Sequence, residues 1–260
     1  MKEIIRKQPI VCGVAGALAI TALFVPAQML IPSGISDGSW LLWDSALRVI
    51  YTVPCLILLG WILQSSGFRF AFTTKGFAKG MFACAAIFLF ILTMALRWFN
   101  MLELNMDYAA KVPGVIAQQI TTGLFEEAAF RGLVMTAMLI QWSDTVKGRI
   151  IAMLISGIVF GVSHFKNGLF NVLIASILGI GFSAVYLYAK NLMSCMLLHA
   201  LYDIPAHLNH LIAESSENTL DHILNNAQTV LMYAAIPLFA LFLCVKAKPF
   251  ELKERRPCLS

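Results

Sequence analysis

Apolar residues along this chain run in blocks of about 20, too long for soluble strands and too evenly apolar for one-sided soluble helices. The blocks fall at Ile10–Ile31, Leu41–Leu63, Phe77–Phe99, Val112–Trp142, Ile150–His164, Leu169–Tyr188, Leu192–Ile212 and Thr229–Val245. Each predicts a helix, because lipid offers no partner to backbone N–H and C=O groups and a helix satisfies them internally. The fifth block is short for a full crossing, and the fourth is long enough to begin as a surface helix. Lys2, Arg6 and Lys7 before the first block imitate the start of a secretion signal. The apolar run that follows exceeds that of a cleaved signal, so the first block is read as a retained span.

Composition narrows the class. Apolar residues make up 59% of the chain, charged residues 13%, and mean hydropathy is +0.79. Soluble domains carry about a quarter of their residues charged. The expected fold is therefore all-α, a polytopic integral membrane helix bundle of about eight spans, and the spans leave no room for a separate soluble domain. The organisation expected is a three-span region over 1–111, a core over 112–212 holding the unusual polar residues, and a final span with a basic tail over 213–260.

The net charge of +5 belongs to orientation rather than to nucleic-acid binding. With both termini cytoplasmic, inner segments hold Lys2, Arg6, Lys7, Arg69, Lys75, Lys79, Lys147, Arg149, Lys190, Lys246, Lys248, Lys253, Arg255 and Arg256. Outer segments hold only Lys111 and Lys166, beside the acidic Asp37, Glu103, Asp107, Glu214, Glu217 and Asp221. Such a bias sets topology. The cysteines, Cys12, Cys55, Cys84, Cys195, Cys244 and Cys258, are scattered without a Cys-x-x-Cys pair, which suggests neither a disulfide framework nor a thiolate metal site. Gly157 and Gly161 have the spacing that lets helices approach closely.

Candidate chemistry comes from ionisable groups at membrane depth, where an ionised side chain costs at least about 2.5–3.5 kcal/mol. The fourth block holds Glu126, Glu127 and Arg131. Glu127 and Arg131 are four apart and can pair on one helix face, leaving Glu126 as the spare carboxylate. His164 ends the fifth block, four residues after Phe160. The seventh carries His199 and Asp203 on one face, with Pro205, His207 and His210 following; the last two are read as interfacial. At 1.5 Å per residue, Glu126 and His164 stand about 24 Å and about 21 Å from the inner ends of their spans, and Asp203 and His199 about 17 Å and about 11 Å. They meet if spans four, five and seven are neighbours. A carboxylate with two imidazoles can activate water and stabilise an oxyanion, or hold a divalent metal. Asp44 and Arg48 on the second span are read as a structural ion pair.

Glu126-Glu127-x-x-x-Arg131, then Phe160-x-x-x-His164, then His199-x-x-x-Asp203, in order on three spans, resembles the CPBP family of type II CAAX prenyl proteases, Abi proteins and bacteriocin-processing or immunity proteins. The resemblance covers roughly residues 112–210. It implies an intramembrane endopeptidase acting on a membrane-associated protein or peptide, in a bacterial plasma membrane. By that resemblance Glu126 and His164 activate water, His199 and Asp203 steady the oxyanion, and Glu127, Arg131 and Phe160 support the site. The family more often has Asn at the last position. An ionised Asp203 would repel an oxyanion, so it either is protonated or orients His199. No cofactor is expected; the alternative is a divalent metal such as Zn held by Glu126, His164, His199 and Asp203. Two other readings compete: a catalytically idle relative working as an immunity, regulatory or scaffold protein, and an ion-coupled transporter.

Overall fold

A computed structural model describes residues 4, 7–66, 76–100, 106–142, 145–208 and 219–250, apart from the side chains of 66, 98–100 and 106–107. Lys2, Arg6, Arg69, Lys75, Glu103, His210, Glu214, Glu217, Lys253, Arg255, Arg256 and Cys258 lie outside the described residues, as does the side chain of Asp107. No strand occurs among the described residues. The helices are α1 (Pro9–Ala27), α2 (Asp37–Ser66), α3 (Phe77–Ala83), α4 (Ala85–Asn100), α5 (Val112–Glu127), α6 (Thr136–Gln141), α7 (Val146–Ser163), α8 (Leu169–Ala189), α9 (Leu192–Leu208), α10 (Thr219–Val230) and α11 (Ile236–Lys246). Wider π-helical turns, Ala128–Met135 and Leu231–Ala235, join α5 to α6 and α10 to α11.

The protein is an integral membrane helix bundle. Five helical segments are long and apolar enough to cross a membrane unaided, and the bent pair α3–α4 would make a sixth. The two remaining long segments, α5–α6 and α9, are the ones that carry Glu126, Glu127, Arg131, His199 and Asp203. The polar residues of the candidate site are thus concentrated on these two segments, of which α9 is 17 residues long. Long apolar side chains such as Leu18, Phe82 and Leu238 face outward, as a lipid solvent permits, while Leu133, Met135, Phe182, Tyr186 and Leu198 fill the centre.

Two elements depart from the expected boundaries. The third block breaks by 62° at Cys84, whose thiol donates to the Gly80 carbonyl at 2.9 Å. The final helical run begins at Thr219 rather than Thr229. Polar residues interrupt its hydropathy there, but Asp221 is buried and paired with Arg97 of α4, which donates Nε to Oδ1 at 2.7 Å and Nη2 to Oδ2 at 3.2 Å. Arg97 Nη1 also reaches Gln228 Oε1 at 3.1 Å.

Charge separates along the bundle axis. At one end Lys79 donates to the Tyr188 carbonyl, Lys190 to that of Pro249 and Arg149 to that of Ala247. At the other end Lys111 pairs with Asp37 at 2.5 Å and the Tyr108 hydroxyl donates to the His207 carbonyl. The segments expected on the inner side therefore gather together, as one sidedness for all of them requires.

Candidate active site

The site is built where α5 meets α9. Gly123 makes that crossing close: a Cβ there would stand 2.6 Å from the Met196 carbonyl oxygen and 3.1 Å from the Ala200 nitrogen. One turn further along α5, Glu126 and Glu127 are carried to the level of His199. A second tight crossing, of α7 on α8 at Gly157 and Gly161, seats Phe160 beside them; a Cβ at Gly157 would lie 2.8 Å from the Ile180 nitrogen.

Glu127 and Arg131 are fully buried and paired, Nη1 to Oε1 at 2.8 Å. Arg131 also donates Nη2 to the Gly179 carbonyl at 2.8 Å, and its guanidinium lies 4.6 Å from the Phe160 ring centre and 5.4 Å from that of Phe182. Two carbonyl-type acceptors and two aromatic faces compensate the loss of water around this charge. The same Glu127 Oε1 lies 2.8 Å from His199 Nδ1. The Phe182 ring stacks on the imidazole at 5.0 Å, and Phe160 meets it edge-on at 5.6 Å.

His199 Nε2 faces two further carboxylates, Asp203 Oδ2 at 3.2 Å and Glu126 Oε2 at 3.8 Å. When these carboxylates are ionised they only accept, so His199 donates at whichever nitrogens carry protons. Glu126 is 20% exposed and Asp203 14%, against 0% for Glu127. Glu126 Oε2 has no hydrogen-bond partner among the described residues. Oε2 is buried in both glutamates, and Glu127 Oε2 likewise lacks a partner among the described residues; the two differ in that the Glu126 side chain is partly exposed and that of Glu127 is not.

His164 also packs against Phe160, its ring 4.8 Å from the phenyl ring. Its Nδ1 lies 2.9 Å from the Phe160 carbonyl oxygen and 3.2 Å from Ser163 Oγ. A carbonyl can only accept, which makes Nδ1 the protonated nitrogen and Nε2 the basic one in the neutral ring. No hydrogen bond or ion pair joins His164 to Glu126, His199 or Asp203 among the described residues. Nor do three or more His, Cys, Asp or Glu side chains converge there as a metal-ligand set. Glu126, Glu127, Arg131, His199 and Asp203 thus meet directly, and Phe160 links them to His164.

Residues 108–205, which contain every one of these groups, match the model of a family described as Type II CAAX prenyl endopeptidase Rce1-like. This segment of the chain is similar to that family. No curated protein and no solved structure matches the chain. At family level the Rce1-like segment is that of a CAAX-type intramembrane protease, consistent with the resemblance to CPBP proteins.

Around the Rce1-like segment the structure adds two things that spacing alone did not reveal. Glu127 is bonded to His199 as well as to Arg131, so the supporting pair and the imidazole are one network. Sequence distance hid this, because 127 and 199 lie on different helices. The Asp44–Arg48 pair is present, Nε to Oδ2 at 2.9 Å, but Asp44 also accepts from Gln28 at 2.6 Å and from Gln118 at 2.8 Å. Part-buried glutamines at 28 and 118 in otherwise apolar blocks were the available signal.

Proposed function

We propose that this chain is an intramembrane endopeptidase that hydrolyses a peptide bond of a membrane-associated protein or peptide. The observation that carries the reading is the unclaimed Glu126 oxygen standing 3.8 Å from a histidine nitrogen whose opposite edge is tied to Glu127. Glu126 is the general base that takes a proton from water as it attacks the scissile carbonyl, and it returns that proton to the departing amine as the C–N bond breaks. His199 Nε2–H is the donor toward the oxygen that becomes negative, and Glu127 holds the imidazole in register as an orienting carboxylate. Asp203 faces the same Nε2, which favours its role as an orienting group that withdraws, or is protonated, when the carbonyl oxygen arrives. His164, with Nε2 basic and its ring packed on Phe160, is the second base for the proton transfer. Arg131 is the positioning cation that holds Glu127 aimed at His199.

The reading places the protein in a bacterial plasma membrane with no cofactor. A divalent ion such as Zn held by Glu126, His164, His199 and Asp203 would supply a Lewis acid for the carbonyl; these residues offer N and O donors of the right type. As described they do not converge as a ligand set, which favours the reading without metal. Chelation followed by metal add-back separates the two: a metal-dependent enzyme loses and regains turnover, and a glutamate enzyme keeps it.

The substrate is found by comparing wild type, Glu126→Ala and His164→Ala cells by proteomics of membrane and secreted peptides. Cleavage products seen only in wild type are expected and would name the substrate. Identical peptides in all three strains, with the wild-type phenotype retained by the variants, would replace the peptidase with a binding or immunity role.

A further inference from the structure

The Glu127–Arg131 pair depends on a feature outside the family motifs. Arg131 sits in the π-helical turn Ala128–Met135. Such wide turns are rare, occur mostly as single turns inside α-helices and are frequent at functional sites. Five residues on, the Thr136 hydroxyl donates to the Arg131 carbonyl at 3.0 Å and lies 2.8 Å from the Tyr186 hydroxyl of α8. The single threonine proton is committed to that carbonyl, so Tyr186 is the donor to Thr136. Both side chains are buried, and the tyrosine ring is held on another side by Phe250 at 5.8 Å. A chain of bonds therefore runs from Tyr186 through Thr136, the Arg131 backbone, the Arg131 guanidinium and Glu127 to His199.

We propose that Thr136 and Tyr186 are positioning residues for the site. They fix the widened turn at Arg131, and through Arg131 and Glu127 they set the place of the His199 ring. A threonine hydroxyl that bonds back to the preceding turn is common in helices. What distinguishes this one is its partner carbonyl, which belongs to the residue whose side chain anchors Glu127. In buried polar chains of this kind, displacement of one member shifts the others.

The proposal rests on the reading of Glu126 and His199 as the working groups, but its test does not need a substrate. The full-length protein, labelled with 15N-histidine in detergent micelles, gives a His199 side-chain signal assigned by its loss in His199→Gln. Thr136→Val and Tyr186→Phe are expected to displace that signal, and Thr136→Ser to restore it. On a fluorogenic peptide carrying a cleavage site found only in wild-type cells, the first two are expected to lower kcat by about tenfold with KM unchanged, and Thr136→Ser to return it. If Thr136→Val does not fold, Tyr186→Phe, which removes one oxygen atom, carries the test alone. A His199 signal left at its wild-type position by Tyr186→Phe, or moved as far by Thr136→Ser as by Thr136→Val, would overturn the proposal. Wild-type protein that cleaves no peptide, while Tyr186→Phe still shifts His199, would count against the peptidase reading and leave the positioning role standing.

Discussion

Two buried carboxylates in this protein sit four residues before an arginine, and they are used differently. Asp44 and Glu127 are both fully buried, and both accept from the arginine one turn on. Asp44 uses both oxygens: Oδ1 takes Gln28, and Oδ2 takes Arg48 and Gln118. It ties the turn that follows α1 to α2 and α5 and has nothing left to offer. Glu127 puts Arg131 and His199 on one oxygen and leaves Oε2 without a partner among the described residues. Beside it stands Glu126, partly exposed and unclaimed. The i, i+4 acid–arginine pattern therefore says only that a charge is compensated. What marks a working site is the second carboxylate next to it and the imidazole from another helix.

The comparison breaks most visibly at the arginines. Arg131→Ala strands Glu127 in a dry interior and is expected to cost about 3–5 kcal/mol of stability, with turnover lost as well, read as thermal unfolding and peptide cleavage in detergent. Arg48→Ala leaves Asp44 its two glutamine donors and removes a side chain that is 15% exposed. Its loss is expected to be smaller, about 1–3 kcal/mol. Equal losses would mean that the two carboxylates are equally compensated and the contrast is false.

Next in size is Glu126→Gln, which keeps shape and burial and removes only basicity. A fall in kcat of about 10²–10⁴ is expected with Tm unchanged. Asp44→Asn inverts that result: about 1–3 kcal/mol of stability is lost with the charge-assisted bonds, and the folded protein keeps its kcat. The smallest effect belongs to Asp203→Asn. An amide still accepts from His199 and carries no charge to oppose an oxyanion, so kcat is expected to stay within about tenfold of wild type, a change of about 1.4 kcal/mol in the barrier. A loss as deep as that of Glu126→Gln would make the Asp203 charge itself part of the chemistry.

Much of this was legible in the sequence, for physical reasons. Lipid forces long apolar helices, so the spans stood out, and ionised groups within them are costly enough that Glu126, Glu127, Arg131, His199 and Asp203 stood out in turn. Helical spacing forecast the Glu127–Arg131 and His199–Asp203 pairings, both of which are made in the structure. It could not forecast contacts between helices. The Glu127–His199 bond, the Gln118 and Gln28 bonds to Asp44, and the Arg97–Asp221 pair all join distant segments. The start of the last helical run was hidden for a related reason: Asp221, Asn225 and Gln228 look like a polar loop until Arg97 faces them. Depth along the membrane put His164 near Glu126, but depth says nothing about lateral contacts, and the ring packs on Phe160 with its Nδ1 on the Phe160 carbonyl.

The most direct measurement is cleavage of a fluorogenic peptide, carrying a cleavage site found only in wild-type cells, by purified wild type and Glu126→Gln reconstituted in liposomes, with both proteins verified as folded by their Tm. The account predicts that wild type cuts the peptide and that Glu126→Gln, equally folded, is slower by about 10²–10⁴. Equal rates of cleavage by the two proteins would contradict it.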